Sequence, residues 1–250
     1  MKRFLRFFLL FTLSFVFLAA IGCHFEKGTI CFAGKGISPE GEMKKVKKDF
    51  KDFSEISISS GFKLELKLGT EESVEIEAQE NLHQYIKAEQ SGDNLYFGII
   101  DNHHFNNDAK VIIHVTAKEI SSLSGSGGAE IKGIGAIKSG NLALALSGGS
   151  WFKSEVDCRT FAIALSGGST VKASGKCENL EFSASGGSIM KSYDLETENL
   201  DASLSGGSKL ILKVNGSLKV DASGGSEVEY TGNGIVKSFD LSGGSEVNKK

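Results

Sequence analysis

The chain has 250 residues, a formal net charge of −3, 31 glycines and one proline. This length suits one large domain or two small ones, and a hydrophobic content of 40% excludes a disordered chain or a protein with several membrane spans. Arg159 is the only arginine outside the first six residues. An acidic chain this poor in arginine argues against nucleic-acid binding.

Residues 1–22 are typical of an export signal. Lys2, Arg3 and Arg6 form a positive start, an apolar run follows from residue 7 to residue 18, and small residues end the segment. An uncleaved membrane helix is the alternative, but the apolar run barely reaches across a ~30 Å hydrocarbon core. We therefore expect cleavage.

The residues before the expected cleavage site, Ala-Ile-Gly-Cys at 20–23, resemble a bacterial lipobox. This resemblance implies that Cys23 becomes the lipidated N-terminus and anchors the protein in a membrane, with several acyl chains holding it firmly. An ordinary signal peptide with an incidental cysteine is the alternative. His24 stands where an aspartate would resemble an inner-membrane retention signal, which favours the outer membrane.

A lipidated flexible tether is predicted for residues 23–48. It contains four glycines, the only proline and a lysine-rich run over 44–48. Cys31 has no obvious partner in this stretch.

Residues 49–118 show apolar residues at every second position in several short runs, separated by polar turns. The runs 62–68 and 111–115 are the clearest. We interpret this segment as an antiparallel β subdomain that covers one end of the following structure, because an uncovered end would expose unpaired backbone.

Internal repetition dominates residues 119–250. Ser-Gly-Gly-Ser begins at Ser147, Ser166, Ser185, Ser205, Ser223 and Ser242, and a degenerate copy begins at Ser126. Alternating apolar residues precede each copy, which indicates strands with one buried face, and the paired glycines suit a tight corner with positive φ. The repeat predicts an all-β fold, a right-handed parallel β-solenoid of about seven coils of ~19 residues. Pairing of the units into propeller blades is the less natural alternative.

Two cysteines occupy equivalent places in neighbouring repeats. Cys158 lies eleven residues after Ser147, and Cys177 lies eleven after Ser166. Stacked coils would bring their Cα atoms to ~4.8 Å, inside the range that disulfides span. Because the compartment beyond the membrane is oxidising, we predict a Cys158–Cys177 disulfide, with a buried unbonded thiol pair as the alternative.

The order of these features resembles a known family. An export signal is followed by Phe-Ser-Glu-Ile at 53–56, Gly-Phe-Lys-Leu-Glu-Leu at 61–66, Glu-Asn-Leu at 80–82 and then the serial repeats. This order is similar to that of the autotransporter adhesin head GIN domain family of bacterial envelope proteins. The resemblance implies a β-solenoid-like fold, and the family name implies adhesion. No C-terminal run of ~10-residue barrel strands is visible, which argues against self-secretion.

A carbohydrate-active enzyme is the main alternative function. Glu181 and Asp201 share one place in neighbouring repeats, which would put their carboxyl groups about 5 Å apart, but their alternation points outward. No nucleophile elbow or phosphate loop is present, and the polar run 101–108 is typical of a hairpin loop. We predict no catalytic residue, no cofactor and no metal site.

Trp151 follows a Gly-Gly corner and precedes an inward residue, so it should point outward and could contact a sugar or a protein. Packing under a neighbouring loop is the alternative. We predict a lipid-anchored, non-catalytic envelope protein that binds a glycan, a host protein or an envelope protein. A polysaccharide lyase or glycosidase, and a structural or signalling accessory of the envelope, are the alternatives.

Overall fold

The computed structural model describes residues 35–101 and 103–250, and nearly every element in this part is a β-strand. The export signal, Cys23 and Cys31 lie outside the described residues. The elements are β1 (Lys35–Ile37), β2 (Met43–Lys48), β3 (Glu55–Ile58), β4 (Lys63–Leu68), β5 (Ser73–Gln79), a 3₁₀ helix (Glu80–Tyr85), β6 (Ile86–Ser91), β7 (Asn94–Ile99), β8 (His103–Phe105), β9 (Val111–Ala117), β10 (Ser122–Gly125), β11 (Glu130–Leu146), β12 (Trp151–Leu165), β13 (Thr170–Ala184), β14 (Ile189–Leu204), β15 (Lys209–Ala222), β16 (Glu227–Thr231), β17 (Ile235–Leu241) and β18 (Glu246–Lys249).

The strands from β10 onward stack in parallel, and each Ser-Gly-Gly-Ser turn ends one coil and starts the next. Equivalent residues of successive repeats are direct neighbours in the ladder. One such row runs through Leu142, Phe161, Leu180, Leu200, Leu218 and Val236. The predicted parallel β-solenoid of about seven coils is confirmed.

The interior is filled by the alternating apolar residues that the sequence indicated. In β12 the inward residues Phe152, Val156, Phe161 and Leu165 are all buried. The alternation breaks once in this strand, where the ladder skips Arg159 between Cys158 and Thr160. This break marks a second bend of the coil, which lies between one glycine turn and the next.

The repeated turn is held by its own side chains. Both glycines have positive φ, as at Gly148 (60°) and Gly149 (76°), where a residue without Cβ is favoured. The Ser150 hydroxyl donates a 2.7 Å hydrogen bond to the carbonyl of Ser147, and Ser169 bonds Ser166 in the same way at 2.8 Å. The closing serine is therefore buried and satisfied, as expected for a serine that caps a local turn.

The strands before the repeat pair in both directions. β3 and β4 lie parallel to β10 and β11, and β7 and β9 lie parallel to β3 and β4 in turn, so these strands extend the solenoid by two rungs. The pairs β6–β7, β5–β9 and β2–β5 are antiparallel. The antiparallel pairing expected for residues 49–118 is thus found only beyond these two rungs. The reason is that β3 and β4 meet a solenoid edge whose hydrogen-bonding direction is already fixed as parallel.

The turn at residues 59–61 is a copy of the repeat turn that the sequence did not reveal. Ser60 and Gly61 have φ of 64° and 72°, and the Ser126 amide donates to the carbonyl of Ile58. The turn starting at Ser126 therefore stacks on it.

Part of the expected tether is structured. Met43–Lys48 forms an antiparallel ladder with β5, and Lys35–Ile37 pairs with β8. Three of the four lysines of β2 are ion-paired with neighbouring acids, including Lys45 with Glu77 at 3.5 Å and Lys47 with Glu75 at 3.7 Å. Pairing with β5 and these charge contacts explain why a lysine-rich run is a strand here. In the described residues, no helix has the length and apolarity needed to span a bilayer.

Candidate interaction surface

A groove of about 730 Å³ runs across several coils at their second bend. Three cationic and four acidic side chains line it: Lys138, Arg159 and Lys176 with Asp157, Glu178, Glu196 and Glu198. Several of these charges already have partners. Lys176 lies 3.9 Å from Asp157, and Lys213 lies 2.6 Å from Glu196. The hydrogen bond from Lys213 lowers the pKa of Glu196. The groove is therefore of mixed charge and open to solvent, and suits a polar ligand.

Cys158 and Cys177 border this groove and are ladder neighbours, as their spacing predicted. Both are buried, and both are free thiols in the structure, so the predicted disulfide is not formed there and stays a prediction for the oxidised protein. Burial, followed by the nearby Cys177 and Asp157, raises the pKa of the Cys158 thiol to about 12. Burial also raises the pKa of Cys177. The folded thiols are therefore poor nucleophiles.

Glu181 and Asp201 are also direct ladder neighbours. Burial raises the pKa of Glu181, and the nearby Asp201 carboxylate raises it further. Lys219 lies 3.9 Å from Asp201 on the next coil. A carboxyl group with a raised pKa beside a second carboxylate could donate a proton. Neither Glu181 nor Asp201 lines the groove at the bend.

A second, smaller groove of about 390 Å³ follows the glycine turns of the later coils. Ser183, Ser203, Asp221 and Asp240 form one ladder row in it. Serine hydroxyls and carboxylates can hydrogen-bond a polar ligand, but nothing encloses them.

Trp151 lies at the start of β12, between Glu130 and Thr170 in the ladder, and is half-buried. It follows the outward alternation because its neighbour Phe152 is fully buried. A contact role for Trp151 stays a prediction.

His83 and His114 have structural partners. The two ring nitrogens of His114 lie 2.7 Å from Glu77 and 3.3 Å from Glu65, and His83 contacts the carbonyl of Lys44 at 3.1 Å. The hydrogen bond with His114 lowers the pKa of Glu77. In residues 35–101 and 103–250, no group of three or more potential metal-binding side chains comes together.

The mixed-charge groove at the bend was not predicted from the sequence. The available signal was the break in alternation at Arg159, where two successive residues turn outward. Because charged residues are common on any solvent-facing side, the charges alone did not distinguish this place.

Comparison with known proteins gives a family and a fold. A family model described as "Putative auto-transporter adhesin, head GIN domain" matches residues 52–234. A crystal structure of a "putative adhesin" from Bacteroides fragilis has a TM-score of 0.79 at 17% identity, covering 86% of this chain and 100% of that chain. A "putative lipid binding protein" from Parabacteroides distasonis has a TM-score of 0.71 at 15% identity, with 86% and 100% covered.

A "putative adhesin" from Parabacteroides merdae has a TM-score of 0.70 at 17% identity, covering 86% of this chain and 99% of that chain. At these identities the likeness to solved structures shows the fold alone. No curated protein matches the chain.

Proposed function

Because this chain belongs to the family of auto-transporter adhesin head GIN domains, we propose that it is a lipid-anchored, non-catalytic envelope protein that serves adhesion or another surface interaction. The family supports a role at the cell surface or in the envelope. The anchor and the absence of catalysis are the finer parts of this proposal.

The observation that carries the proposal is the regular stacking of equivalent side chains. Parallel, in-register coils line up outward residues in continuous rows on a rigid support. Successive residues of a row are ~4.8 Å apart. A preorganised surface loses little entropy on binding, which favours recognition of an extended ligand. The open, mixed-charge groove at the bend fits binding better than it fits an enclosed reaction centre.

The anchor is proposed from the lipobox-like residues 20–23. Cys23→Ser in the full chain should move the protein from the membrane fraction to the soluble fraction and abolish labelling with radioactive palmitate. Cys31→Ser is the matched control and should behave as the wild type. Retention of Cys23→Ser in the membrane with unchanged labelling would contradict lipidation at Cys23.

The interaction is tested with the wild-type full chain, solubilised in neutral detergent, on arrays of glycans and extracellular-matrix proteins. We expect saturable binding to at least one class of surface polymer. A protein that binds no array member, while its thermal transition shows that it is folded, would contradict a surface-interaction function.

A carbohydrate-active enzyme remains the second candidate, because Glu181 combines a raised pKa with a neighbouring carboxylate. Release of reducing sugars from a polysaccharide panel, abolished by Glu181→Gln, would support it. Unchanged polysaccharides after prolonged incubation would favour the non-catalytic function.

A further inference from the structure

One row of outward side chains on the solenoid consists of lysines. Lys132, Lys153, Lys172 and Lys191 each lie six residues after the serine that opens their turn. Lys132 is the ladder neighbour of Lys153, and Lys153 of Lys172. Lys172 and Lys191 each directly follow a ladder pair, Val171 and Met190. We call these four residues the lysine row.

The lysine row lowers the stability of the folded protein. Its members form no ion pair within 4 Å among the described residues, although many other lysines of the chain do. Like charges that face each other across a ladder repel. The fold needs only outward residues here, and serine or threonine would serve. An external anion would offset this repulsion.

The lysine row has defined ends. On one side, Glu65 is the ladder neighbour of Lys132. On the other, Lys191 is followed in the ladder by Ile211 and then Glu229, whose carboxylate is bound to Lys209 at 3.1 Å. Four stacked positions span about 14 Å at ~4.8 Å per coil. The positive surface is therefore narrow and short, and directed along the solenoid axis.

An aromatic ring borders the lysine row. Trp151 lies two residues before Lys153 in β12, so both side chains leave the same face of the strand. Its ladder neighbours are Glu130, which lies 3.6 Å from Lys63, on one side, and Thr170 followed by Ile189, which carry no charge, on the other. A half-buried indole beside stacked ammonium groups presents an apolar face next to cations. This combination fits a sugar ring that carries acidic groups.

We propose that the lysine row and Trp151 bind an anionic polysaccharide that lies along the solenoid axis. Carboxylate or sulfate groups of successive sugars pair with the ammonium groups, and one sugar ring packs on the indole. This inference rests on the proposed surface-interaction function and names its ligand class. A single file of cations matches a linear polymer better than a lipid bilayer, whose headgroups would meet a broad basic patch.

The test measures binding of the detergent-solubilised full chain to polygalacturonate, dextran sulfate and neutral dextran. We expect binding to the two anionic polymers that weakens as salt is raised, and none to neutral dextran. The double variant Lys153→Gln/Lys172→Gln should raise the dissociation constant about tenfold or more. Trp151→Ala should weaken binding by a smaller factor.

The matched control is Lys48→Gln/Lys237→Gln, which removes two exposed lysines that belong neither to the lysine row nor to the bend groove. It should change the affinity by less than about twofold. The lysine-row variant should also unfold at the same or a higher temperature than the wild type, because it removes repulsion. A loss of binding that accompanies this result cannot come from misfolding.

Three outcomes would overturn the inference. The lysine-row variant could bind the anionic polymers as well as the wild type does, or both double variants could lose affinity equally. The third outcome is binding to phosphatidylglycerol vesicles but not to either anionic polysaccharide, which would make the row a membrane contact. If the wild type binds other surface polymers in each case, the proposed function survives and only the ligand class is wrong.

Discussion

The two ends of the solenoid are finished in different ways. At the N-terminal end, non-repeating strands cover the first rung and end in the edge strands β6 and β2, and three of the four lysines of β2 are paired with acids of β5 and the 3₁₀ helix. A charged edge strand of this kind discourages pairing with other chains. Below it, Phe62 is buried and stacks on Phe105 with ring centroids 6.0 Å apart.

At the C-terminal end, the repeat simply continues to β17 and β18. Val236, Phe239 and Leu241 follow the inward positions of the preceding coil, yet they are 43%, 38% and 40% exposed. These strands lie beyond residue 234, where the family match ends. The difference shows that each coil of the repeat buries the apolar residues of the coil next to it, whereas the last coil stays partly exposed. Covering an end of the solenoid requires a segment that is not a repeat.

Truncation of one phenylalanine at each end tests this difference. Phe62→Ala should lower the free energy of unfolding by about 3–5 kcal/mol, since it empties a closed part of the core. Phe239→Ala should cost less than about 1 kcal/mol, because its side chain is already partly in water. Chemical denaturation of both variants at equal, low protein concentration measures the two costs.

Hydrogen exchange provides the control for that comparison. Backbone amides of β17 should exchange faster than those of β4 in the wild type, since an uncovered rung opens without disturbing the others. Equal costs for the two phenylalanine variants, together with equal protection of β4 and β17, would show that the C-terminal end is as well covered as the N-terminal one.

The cysteine pair tests whether a disulfide can cross-link two coils in the middle of the solenoid. A Cys158–Cys177 disulfide closes a loop of about 20 residues and should add roughly 3 kcal/mol, which reduction would remove. Mass spectrometry of periplasmically expressed protein should find the two cysteines bonded. Two free thiols would rule the disulfide out. The two ends would then remain the regions of the solenoid that differ most in stability.

The reduced, folded protein should react slowly with alkylating reagents. A Cys158 pKa of about 12 leaves roughly a thousandth of the thiolate that an ordinary cysteine has at neutral pH. Denaturant should restore fast labelling, whereas fast labelling without denaturant would show that the coils around Cys158 open readily.

The solenoid could be predicted because its signals are local and repeated. Paired glycines such as Gly148 and Gly149 require a turn wherever they occur, and the alternation before each turn fixes which residues point inward. Equal spacing then places Cys158 beside Cys177 and Glu181 beside Asp201, as the structure shows.

The covered end was harder to predict, because its pairing depends on residues far apart in the chain. Ser126 stacks on a turn 67 positions earlier, in which Ser60 replaces the first glycine. The lysine-rich β2 looked like a tether because its stabilising partners, among them Glu75 and Glu77, come from another strand. Neither relation leaves a periodic signal in the sequence.

The glycine turns allow a sharper comparison between the first rung and the rest. A Cβ added to Gly167 would lie 3.0 Å from the backbone nitrogen of Gly148, whereas one added to Gly168 would meet nothing within 4 Å. Ser60 holds the equivalent of the Gly167 position in the first turn of the stack. The Ser60 side chain is exposed, which explains why a residue with a Cβ is accepted there.

Gly167→Ala should therefore destabilise the protein by about 2 kcal/mol or more, and Gly168→Ala by about 1 kcal/mol, the cost of positive φ alone. Ser60→Gly should be neutral or slightly stabilising. Thermal denaturation of the three variants measures these effects. Equal losses for Gly167→Ala and Gly168→Ala would show that the turns are not packed as closely as the stacking implies.

The smallest expected effect concerns pH, and its sign is opposite in the two regions. The pKa of Glu77 in the N-terminal region is lowered, mainly by its hydrogen bond with His114, so its stabilising contribution is present above the unfolded pKa and is lost as pH falls. The pKa of Glu181 is raised by burial and by Asp201. Its contribution is most favourable below the unfolded pKa and is lost as pH rises through the folded value.

Glu181→Gln should therefore stabilise the protein at pH 7 by about 0.2–1 kcal/mol, the usual cost of like charges opposed in a ladder. The gain should disappear once acid protonates the wild-type carboxyl group. Glu178→Gln, which removes an exposed carboxylate elsewhere in β13, is the control for the loss of one negative charge. Denaturation midpoints at pH 7 and pH 4 separate the two variants. A gain that persists at low pH would mean that glutamine improves packing at this position, and the repulsion between Glu181 and Asp201 would then not limit the stability of the middle coils.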